Sequence, residues 1–321
     1  MNNQTKALGL ILLTAGTLGV SSAAALAQDA YPAREVTWVV PAGPGGGSDI
    51  IARTIVNIIQ EKDLLPYSVI VENRPGGAGS IGYTYLAAQE GDPYYISAIA
   101  ESFFTAPLMG QSTVNYEDFT PVAALASDLF VMVSAKESGI TSVDDLKTMD
   151  AIRIGTTGAM TGSGFLASMV GQSLGVEVRN VPFGSDGEVL GALLGGHVDL
   201  QFGNPAEILG QVEAGDLVPL AVSSSVRSAL LPDVPTFTEL GIDVELTMTR
   251  GVIMPKDVPA EVVDFWEDIL RQVTETDEWQ IDYVERNGMV PTFLDSAGFG
   301  ARMVELNEGY VANMARVGET Q

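Results

Sequence analysis

Apolar and polar residues alternate along the first third of the chain in blocks that predict strands followed by helices. Short apolar runs at Val36–Val40, 68–72 and 94–98 predict three strands. A helix is expected from an N-cap at Ser48 to about residue 62. Its buried face is predicted to consist of Ile51, Ile55, Ile58 and Ile59. The loop at 76–79 leads into a second helix that runs to about residue 86. This βαβαβ order favours a parallel sheet covered by helices on both faces.

A second α/β series follows two extended apolar runs at 121–125 and 129–133. Its strands are predicted at 152–155, 176–182, 198–202 and 218–222, and its helices at 165–174, 188–194 and Pro205–Ala214. The last part of the chain is predicted to be helical, with Asp257 as a cap and Pro259 in a first turn. The apolar stripe of that helix consists of Val262, Trp266, Ile269 and Val273. A final helix is expected over 297–317.

This order predicts an α/β protein of two domains, each a mainly parallel sheet with helices on both faces. The first domain is expected to comprise 28–128 plus 229–321, and the second 129–228. Two extended connections, near 125–133 and 218–228, predict a hinge, and the C-terminal helices are expected to pack on the first domain. Ligands of open α/β sheets bind beyond the carboxyl ends of the strands, so a cleft between the two edges is the expected site.

The first 27 residues are typical of a secretory signal peptide. Lys6 precedes an apolar core at 8–20, and Ala25-Leu26-Ala27 forms a small-x-small cleavage site. No later segment is long enough and free enough of charge to span a bilayer. The chain has no cysteine, which excludes disulfides, thiolate metal sites and a lipidated N-terminal cysteine. We therefore expect a periplasmic protein, most simply a monomer, without stable membrane insertion.

The charge of the mature chain is strongly negative. Without Lys6 it has 15 basic and 41 acidic residues, a net charge of −26. The acidic residues are scattered, as on a solvated surface, and such a surface disfavours nucleic acid and anionic lipid as partners. A charge of this size is typical of proteins from salty habitats, where the Debye length is only about 3 Å at 1 M salt.

Two glycine-rich loops near the start of the chain each follow a predicted strand and open a helix. Backbone N–H groups at a helix N-terminus bind anions, helped by the helix dipole. The pair of loops therefore predicts a site for a small carboxylate, held mainly by backbone groups. The candidate residues of the first loop are Gly43, Pro44, Gly45, Gly46, Gly47, Ser48 and Asp49, and those of the second are Asn73, Arg74, Gly77 and Ala78.

Other chemistry fits the sequence less well. Residues 77–82 match G-x-G-x-x-G and 162–167 match its looser form, but 74–76 separate the first match from its strand, and an exported protein has little access to NAD. The loop at 45–48 lacks the lysine of a P-loop. The single histidine, His197, lies in a predicted surface turn, and no G-x-S-x-G is present, which disfavours a hydrolase. We expect no enzymatic activity, no cofactor and no metal.

Two charged residues in the glycine loops have two interpretations each. Arg74 either neutralises an anionic ligand or braces its loop, for instance through Glu72 or Asp49. Asp49 is favoured as an acid at the start of a helix, where it complements the helix dipole, over a contact with ligand.

Several segments, in order over nearly all of the mature chain, resemble the periplasmic solute receptors of tripartite tricarboxylate transporters, the Bug receptors. These segments are Tyr31-Pro32 leading into Val39-Val40-Pro41, then Pro44-Gly45-Gly46-Gly47-Ser48-Asp49 with Ala52-Arg53, Val71-Glu72-Asn73-Arg74-Pro75-Gly76-Gly77-Ala78-Gly79, Leu194-Gly195-Gly196-His197-Val198-Asp199, Ala214-Gly215-Asp216-Leu217 and Leu231-Pro232-Asp233-Val234-Pro235-Thr236.

The resemblance implies a two-domain periplasmic binding protein of the type 2-like, Venus-flytrap kind. It would bind a small organic carboxylate between the two glycine loops and deliver it to a permease of a large and a small membrane subunit. The second domain would contribute the loop 157–164, with Thr157, Ser163 and Gly164, and a strand end at Gly203 and Asn204. Many family members carry Asp next to that Asn, and a bulky aromatic where this chain has Ala42. Both departures favour a ligand other than an amino acid.

An exported enzyme acting on a carboxylate in the same cleft, and a sensory binding module, remain as alternatives. Turnover of a carboxylate would identify the enzyme. Neighbouring permease genes would distinguish transport from sensing.

Overall fold

The fold consists of two β-sheets with helices packed on their faces. The computed structural model of the protein describes residues 31–319, so the predicted signal peptide lies outside the described residues. The strands in this range are β1 (Val36–Val40), β2 (Val69–Asn73), β3 (Tyr95–Ala98), β4 (Phe119–Asp128), β5 (Val131–Ala135), β6 (Ala151–Thr156), β7 (Glu177–Pro182), β8 (Leu200–Gly203), β9 (Leu217–Val222), β10 (Met248–Pro255) and β11 (Val290–Leu294).

The α-helices between these strands follow the order expected from the sequence. They are α1 (Gly47–Glu61), α2 (Ser80–Ala87), α3 (Ser102–Leu108), α4 (Val143–Leu146), α5 (Gly162–Leu174), α6 (Asp186–Leu194), α7 (Pro205–Ala214), α8 (Ala260–Thr274), α9 (Asp277–Trp279) and α10 (Ser296–Glu319). Short 3₁₀ turns cover Gly77–Gly79, Tyr116–Asp118 and Lys136–Ser138, and a π-helical stretch covers Gln280–Glu285. None of the helices in 31–319 combines the length and apolar character that crossing a membrane requires.

The two sheets are mixed rather than mainly parallel. The first has the order β11-β4-β10-β3-β1-β2 and the second β7-β6-β8-β5-β9. The pairs β1–β2, β1–β3, β6–β7 and β6–β8 are parallel, as the βαβ order predicts. The remaining pairs are antiparallel. The cause is the connectivity: strands that arrive from the other sheet, β5 and β10, enter without a βαβ crossover and insert in the opposite direction.

The chain passes from one sheet to the other at two places that lie side by side. The first is near Phe130, between β4 and β5, and the second is near Leu246, before β10; Ser223, just after β9, contacts both. The Phe130 N–H donates to the Ser223 hydroxyl (2.9 Å), and the Ser223 N–H donates back to the Phe130 carbonyl (2.8 Å). The Ser223 hydroxyl also donates to the carbonyl of Leu246 (2.7 Å). The end of β9 and the two segments that cross between the sheets are thus joined at one point, and Phe130 and Ser223 lie within the two connections predicted from the sequence.

The second connection is longer than the sequence indicated. After β9 the chain continues along the second sheet, where Thr236 forms a parallel bridge with Val222. Phe237, Ile242 and Val244 are buried in the core of that sheet. The segment from 229 to about 247, which the sequence assigned to the first domain, therefore packs with the second sheet.

The predicted apolar faces form the core of the first sheet. The four isoleucines of α1 and the stripe of α8 are all buried. Trp266 is fully buried, and its Nε1 donates to the Tyr31 hydroxyl (2.6 Å). Burying one such large apolar side chain contributes about 2 kcal/mol. Periodicity thus identified these helices correctly.

Two helix starts differ from the prediction. The N-cap of α1 is Gly46 instead of Ser48, and Ser48 lies inside the first turn. The N-cap of α8 is Pro259 instead of Asp257, which has a left-handed φ of 60°. In both helices the N-cap residue makes no side-chain hydrogen bond to the first turn. The short polar residue nearest each helix therefore did not mark the position where that helix begins.

The last helix, α10, contacts both sheets. Phe299 packs on β10 where Gly251 leaves room, since a Cβ there would lie 2.2 Å from the ring. Further along, the ring of Tyr310 meets Phe165 of α5 at 5.9 Å between centroids. The helix packs on the first sheet as expected, and it also bridges to the second.

Candidate functional site

The loops singled out from the sequence lie at corresponding edges of the two sheets. β1, β2 and β3 are parallel, so their carboxyl ends share one edge of the first sheet, where both glycine loops begin. β6, β7 and β8 place the loop 157–164 and Gly203 at the matching edge of the second sheet. The antiparallel neighbours bring the last residue of β4, Asp128, and the start of β10, with Arg250, to the edge of the first sheet.

Asp49 and Asn73 tie the two glycine loops together. Asp49 Oδ2 accepts from the Gly45 N–H (2.9 Å) and from Arg53 Nε (2.9 Å), while Asp49 Oδ1 accepts from Asn73 Nδ2 (2.9 Å). Asn73 Nδ2 also donates to the Ala42 carbonyl (3.0 Å), and Asn73 Oδ1 accepts from Arg53 Nη2 (3.1 Å). The hydrogen bond from Arg53, supported by those from Gly45 and Asn73, lowers the pKa of the buried Asp49 carboxyl to about 2.

Backbone N–H groups remain available in both loops. Those of Gly47 and Ser48 begin α1, and those of Gly77 and Ala78 begin the 3₁₀ turn before α2. None of the four donates to an acceptor within residues 31–319. In the second loop three glycines and Ala78 in a row have positive φ, which turns consecutive amides toward one side. The loops can therefore supply amides to an anion at the shared edge.

Arg74 is engaged with its own loop. Its Nη2 pairs with Glu72 Oε1 at 2.6 Å, and its guanidinium lies 3.4 Å from the centre of the Tyr85 ring. These contacts match the bracing interpretation of Arg74.

The loop of the second sheet is a cluster of hydroxyl groups. The hydroxyls of Thr161 and Ser163 lie 3.1 Å apart, and Ser163 Oγ accepts from the Thr157 N–H (3.3 Å). Thr161 caps α5 by accepting from the Gly164 N–H (3.4 Å). The loop folds so tightly that a Cβ on Gly164 would lie 2.2 Å from the Gly158 carbonyl oxygen. The loop thus presents a cluster of hydroxyl groups at this edge of the second sheet.

The second segment that this sheet brings to the edge, Gly203 and Asn204 at the end of β8, is closely packed. A Cβ on Gly203 would lie 2.6 Å from Ile208 Cγ2, so α7 leaves no room for a side chain there. Asn204 is the N-cap residue of α7, and its Nδ2 lies 3.5 Å from the Leu129 carbonyl. His197, the predicted surface residue, is exposed in the turn before β8.

A buried ion pair lies beside the first glycine loop. Arg250 Nη2 and Asp128 Oδ2 are 2.6 Å apart, and their side chains are only 13% and 6% exposed. A Cβ on Gly47 would lie 3.4 Å from Arg250 Nη2, so the guanidinium supports the start of α1. Burial raises the pKa of Asp128, and the charge of Arg250 acts against that rise.

Three charged residues at this edge were not predicted from the sequence. Asp128 and Arg250 belong to an antiparallel pair, and no strand was predicted at Met248–Pro255. Glu101 follows β3, and its place just after a predicted strand was a signal that could have identified it. Its carboxyl lies against the start of α5 on the other sheet.

The sequence of this chain matches a known protein family. The profile described as "Tripartite tricarboxylate transporter family receptor" matches residues 51–303. The protein BugT of Bordetella pertussis is 32% identical over 274 residues, which cover 81% of this chain and 82% of BugT.

Solved structures share the fold. A TctC solute-binding protein from Polaromonas superposes with a TM-score of 0.81 at 27% identity, covering 89% of this chain and 99% of that one. An R. palustris protein with adipate superposes with a TM-score of 0.71 at 24% identity, covering 90% and 98%. The predicted α/β architecture of a two-domain periplasmic binding protein is confirmed at the level of the fold.

Proposed function

The chain belongs to the family of tripartite tricarboxylate transporter receptors, and we propose that it captures a small organic carboxylate for a permease of a large and a small membrane subunit. The four unpaired amides of Gly47, Ser48, Gly77 and Ala78, at one edge of the first sheet, carry this proposal. Their loops are fixed to each other through Asp49, so the donors are held in place before a ligand arrives.

The ligand site is formed by both sheets. One carboxylate of the ligand accepts from the amides of the two glycine loops. Thr157 and Ser163 face it from the second sheet together with the end of β8 at Gly203 and Asn204. The two sheets act as lobes, the second extending from 129 to about 247, and they close by rotation about the point where Phe130 and Ser223 bond to each other.

The protein acts without turnover. Its role is capture by hydrogen bonding, which needs no acid–base pair. Residues 1–27 direct it to the periplasm, and intact-mass analysis of the exported protein should find Gln28 as the first residue. Retention of residues 1–27 would contradict export by cleavage.

A thermal-shift screen tests the proposed ligand class. A ligand that binds only the native state raises the unfolding temperature, and a hundredfold excess over Kd contributes about 2.7 kcal/mol. Suitable probes are acetate, malate, adipate and citrate, with glutamate to test the expectation against amino acids. A screen in which no carboxylate raises the unfolding temperature would overturn the proposal.

Gly46→Val tests the place of binding. Gly46 has an extended backbone with φ of −75°, and an added Cβ meets nothing closer than 3.4 Å, so the fold tolerates the change. The isopropyl group then crowds the loop, and the thermal shift by the carboxylate should disappear. Gly210→Val, on the exposed face of α7 where a Cβ meets nothing within 4 Å, is the matched control and should keep the shift. Equal shifts in both variants would place the ligand elsewhere.

Salt dependence tests capture by backbone amides. The chain has a formal net charge of −25, so it repels anions at long range, and added salt screens that repulsion. Short-range hydrogen bonds inside a closed cleft are screened little. Affinity for a carboxylate should therefore hold or rise from 0.1 to 1 M NaCl. A steep loss of affinity would show that positively charged side chains at the site, and not backbone amides, drive capture.

A further inference from the structure

Glu101 lies where the loop edges of the two sheets meet. It follows β3 and precedes α3, on the edge that carries both glycine loops, and the adjacent Ser102 hydroxyl is 3.3 Å from where a Cβ on Gly79 would lie. Its carboxyl reaches the other sheet, since Oε1 is 3.6 Å from the position of a Cβ on Gly162, the first residue of α5. Glu101 therefore spans the junction between the lobes.

The junction around Glu101 is closely packed and largely apolar. Phe165, just inside α5, is fully buried and lies in one cluster with Ile99 and Phe103 of the first lobe. The ring of Phe130 fills the space next to Gly162, where a Cβ would lie 2.9 Å from it. Glu101 Oε1 is shielded from solvent and has no regular hydrogen-bond partner within 31–319. Burying a carboxyl group in this position costs more free energy when the group is charged than when it is neutral.

Charged and titratable groups face Glu101 from four elements. The backbone amide of Gly162 in α5 and the guanidinium of Arg250 in β10 favour the ionised carboxylate. Asp186 in α6 disfavours it, and Glu101 in turn disfavours ionisation of Tyr310 in α10. Burial outweighs the favourable contacts and raises the pKa of Glu101 to about 7.

We propose that Glu101 binds a proton as the two lobes close, so that closure of the cleft takes up one proton from solvent and opening releases it. In the closed form the neutral carboxyl fits the largely apolar junction beside Gly162, where Oε1 is shielded from solvent and the residue as a whole is half-buried. When Glu101 ionises, the Gly162 amide and the charge of Arg250 do not fully replace the hydration that Oε1 has lost, and separation of the lobes restores water to it. Closure is therefore linked to pH through a side chain that lies beside the ligand site.

The size of the pH effect on closure follows from the pKa of Glu101 in the open and closed forms. We assign the described structure, in which the pKa of Glu101 is about 7, to the closed form, and a hydrated carboxyl with the ordinary pKa of 4.5 to the open form. Because the closed form has the raised pKa, closure is fully favoured below pH 4.5 and loses that advantage as pH rises to 7. Between pH 5 and pH 8 the ratio of closed to open molecules should fall roughly 70-fold.

Distance measurements between the lobes test this without any ligand. The chain has no cysteine, so Asn57→Cys in α1 and Glu213→Cys in α7, both exposed, give two unique spin-label positions. Double electron–electron resonance on the full mature chain should show mainly the short distance at pH 5 and a larger share of the long distance at pH 8. With Glu101→Gln, a neutral isostere, the short distance should prevail at both pH values.

Two further variants make the test decisive. His197→Gln removes the one histidine, which is exposed, and should leave the pH response unchanged. Glu101→Asp keeps an acid but withdraws it from Gly162, and it should reduce the response even if Glu101→Gln does not fold. A wild type whose distances do not change with pH, or a response that persists in Glu101→Gln, would overturn the proposal. Failure to bind carboxylates would leave this ligand-free result intact and would count against the proposed function alone.

Discussion

Replacing Asp49 by Asn should separate the two glycine loops while leaving the shape of the side chain unchanged. Asp49 Oδ2 accepts two hydrogen bonds, from Gly45 and Arg53, and Oδ1 accepts one from Asn73 Nδ2. An amide oxygen in the Oδ2 position can keep the first two bonds without charge. The amide nitrogen then faces the Asn73 nitrogen, donor against donor. Asn73 cannot turn over freely, because its own Oδ1 accepts from Arg53.

The magnitude follows from these contacts. A hydrogen bond to a charged group contributes about 1.5–3 kcal/mol, and a neutral one about half of that. Weakening two bonds and breaking a third at a residue only 3% exposed should lower the free energy of unfolding by about 2–3 kcal/mol. For a protein of this size that is a loss of about 3–5 °C in unfolding temperature. The stabilisation of the ligand-bound form should also shrink, since the amides are no longer held.

Calorimetry of Asp49→Asn at pH 7, with and without a carboxylate, measures both effects. Asp264→Asn is the matched control, because Asp264 is exposed on α8 and its side chain has no ion pair or hydrogen bond within residues 31–319. The pKa of Asp49 is lowered in the folded protein, so the stability that its carboxylate contributes is present above pH 4 and is lost as pH falls toward 2. The difference between wild type and Asp49→Asn should therefore narrow over that interval. A loss no larger than the control's, or one independent of pH, would refute the role assigned to Asp49.

Two further predictions concern the packing around the site. Gly82→Ala should lower the free energy of unfolding by several kcal/mol and abolish the carboxylate thermal shift, since its Cβ would lie 2.6 Å from Pro41 Cα. Gly191→Ala is the control: a Cβ there meets nothing within 4 Å, so the variant should be neutral or slightly stabilising. Arg250→Met should destabilise by about 3–5 kcal/mol in urea unfolding because it leaves Asp128 buried without its partner, whereas the double variant with Asp128→Leu should recover most of the loss. Equal stability of the two glycine variants, or no recovery in the double variant, would contradict these contacts.

The local order of elements was determined by the sequence. Apolar periodicity gave α1 and α8 their buried faces, and the glycine loops were located correctly between strand and helix. These features depend on neighbours a few residues apart, so the chain itself encodes them. The start of α1 lies two residues before the predicted one, because the carbonyl of Gly46 accepts the first helical hydrogen bonds, from the N–H groups of Asp49 and Ile50, and no side chain caps the helix.

The tertiary structure determined which residues from distant parts of the chain contact each other. The antiparallel insertion of β10 brought Arg250 to Asp128, more than 120 residues away in the chain, and no local pattern predicted that strand. The same packing set Glu101 against Gly162 of the other sheet. Both contacts arise where segments distant in sequence meet at the edge of a sheet. Periodicity reports which side of an element is buried, but which element covers it depends on how the whole chain packs.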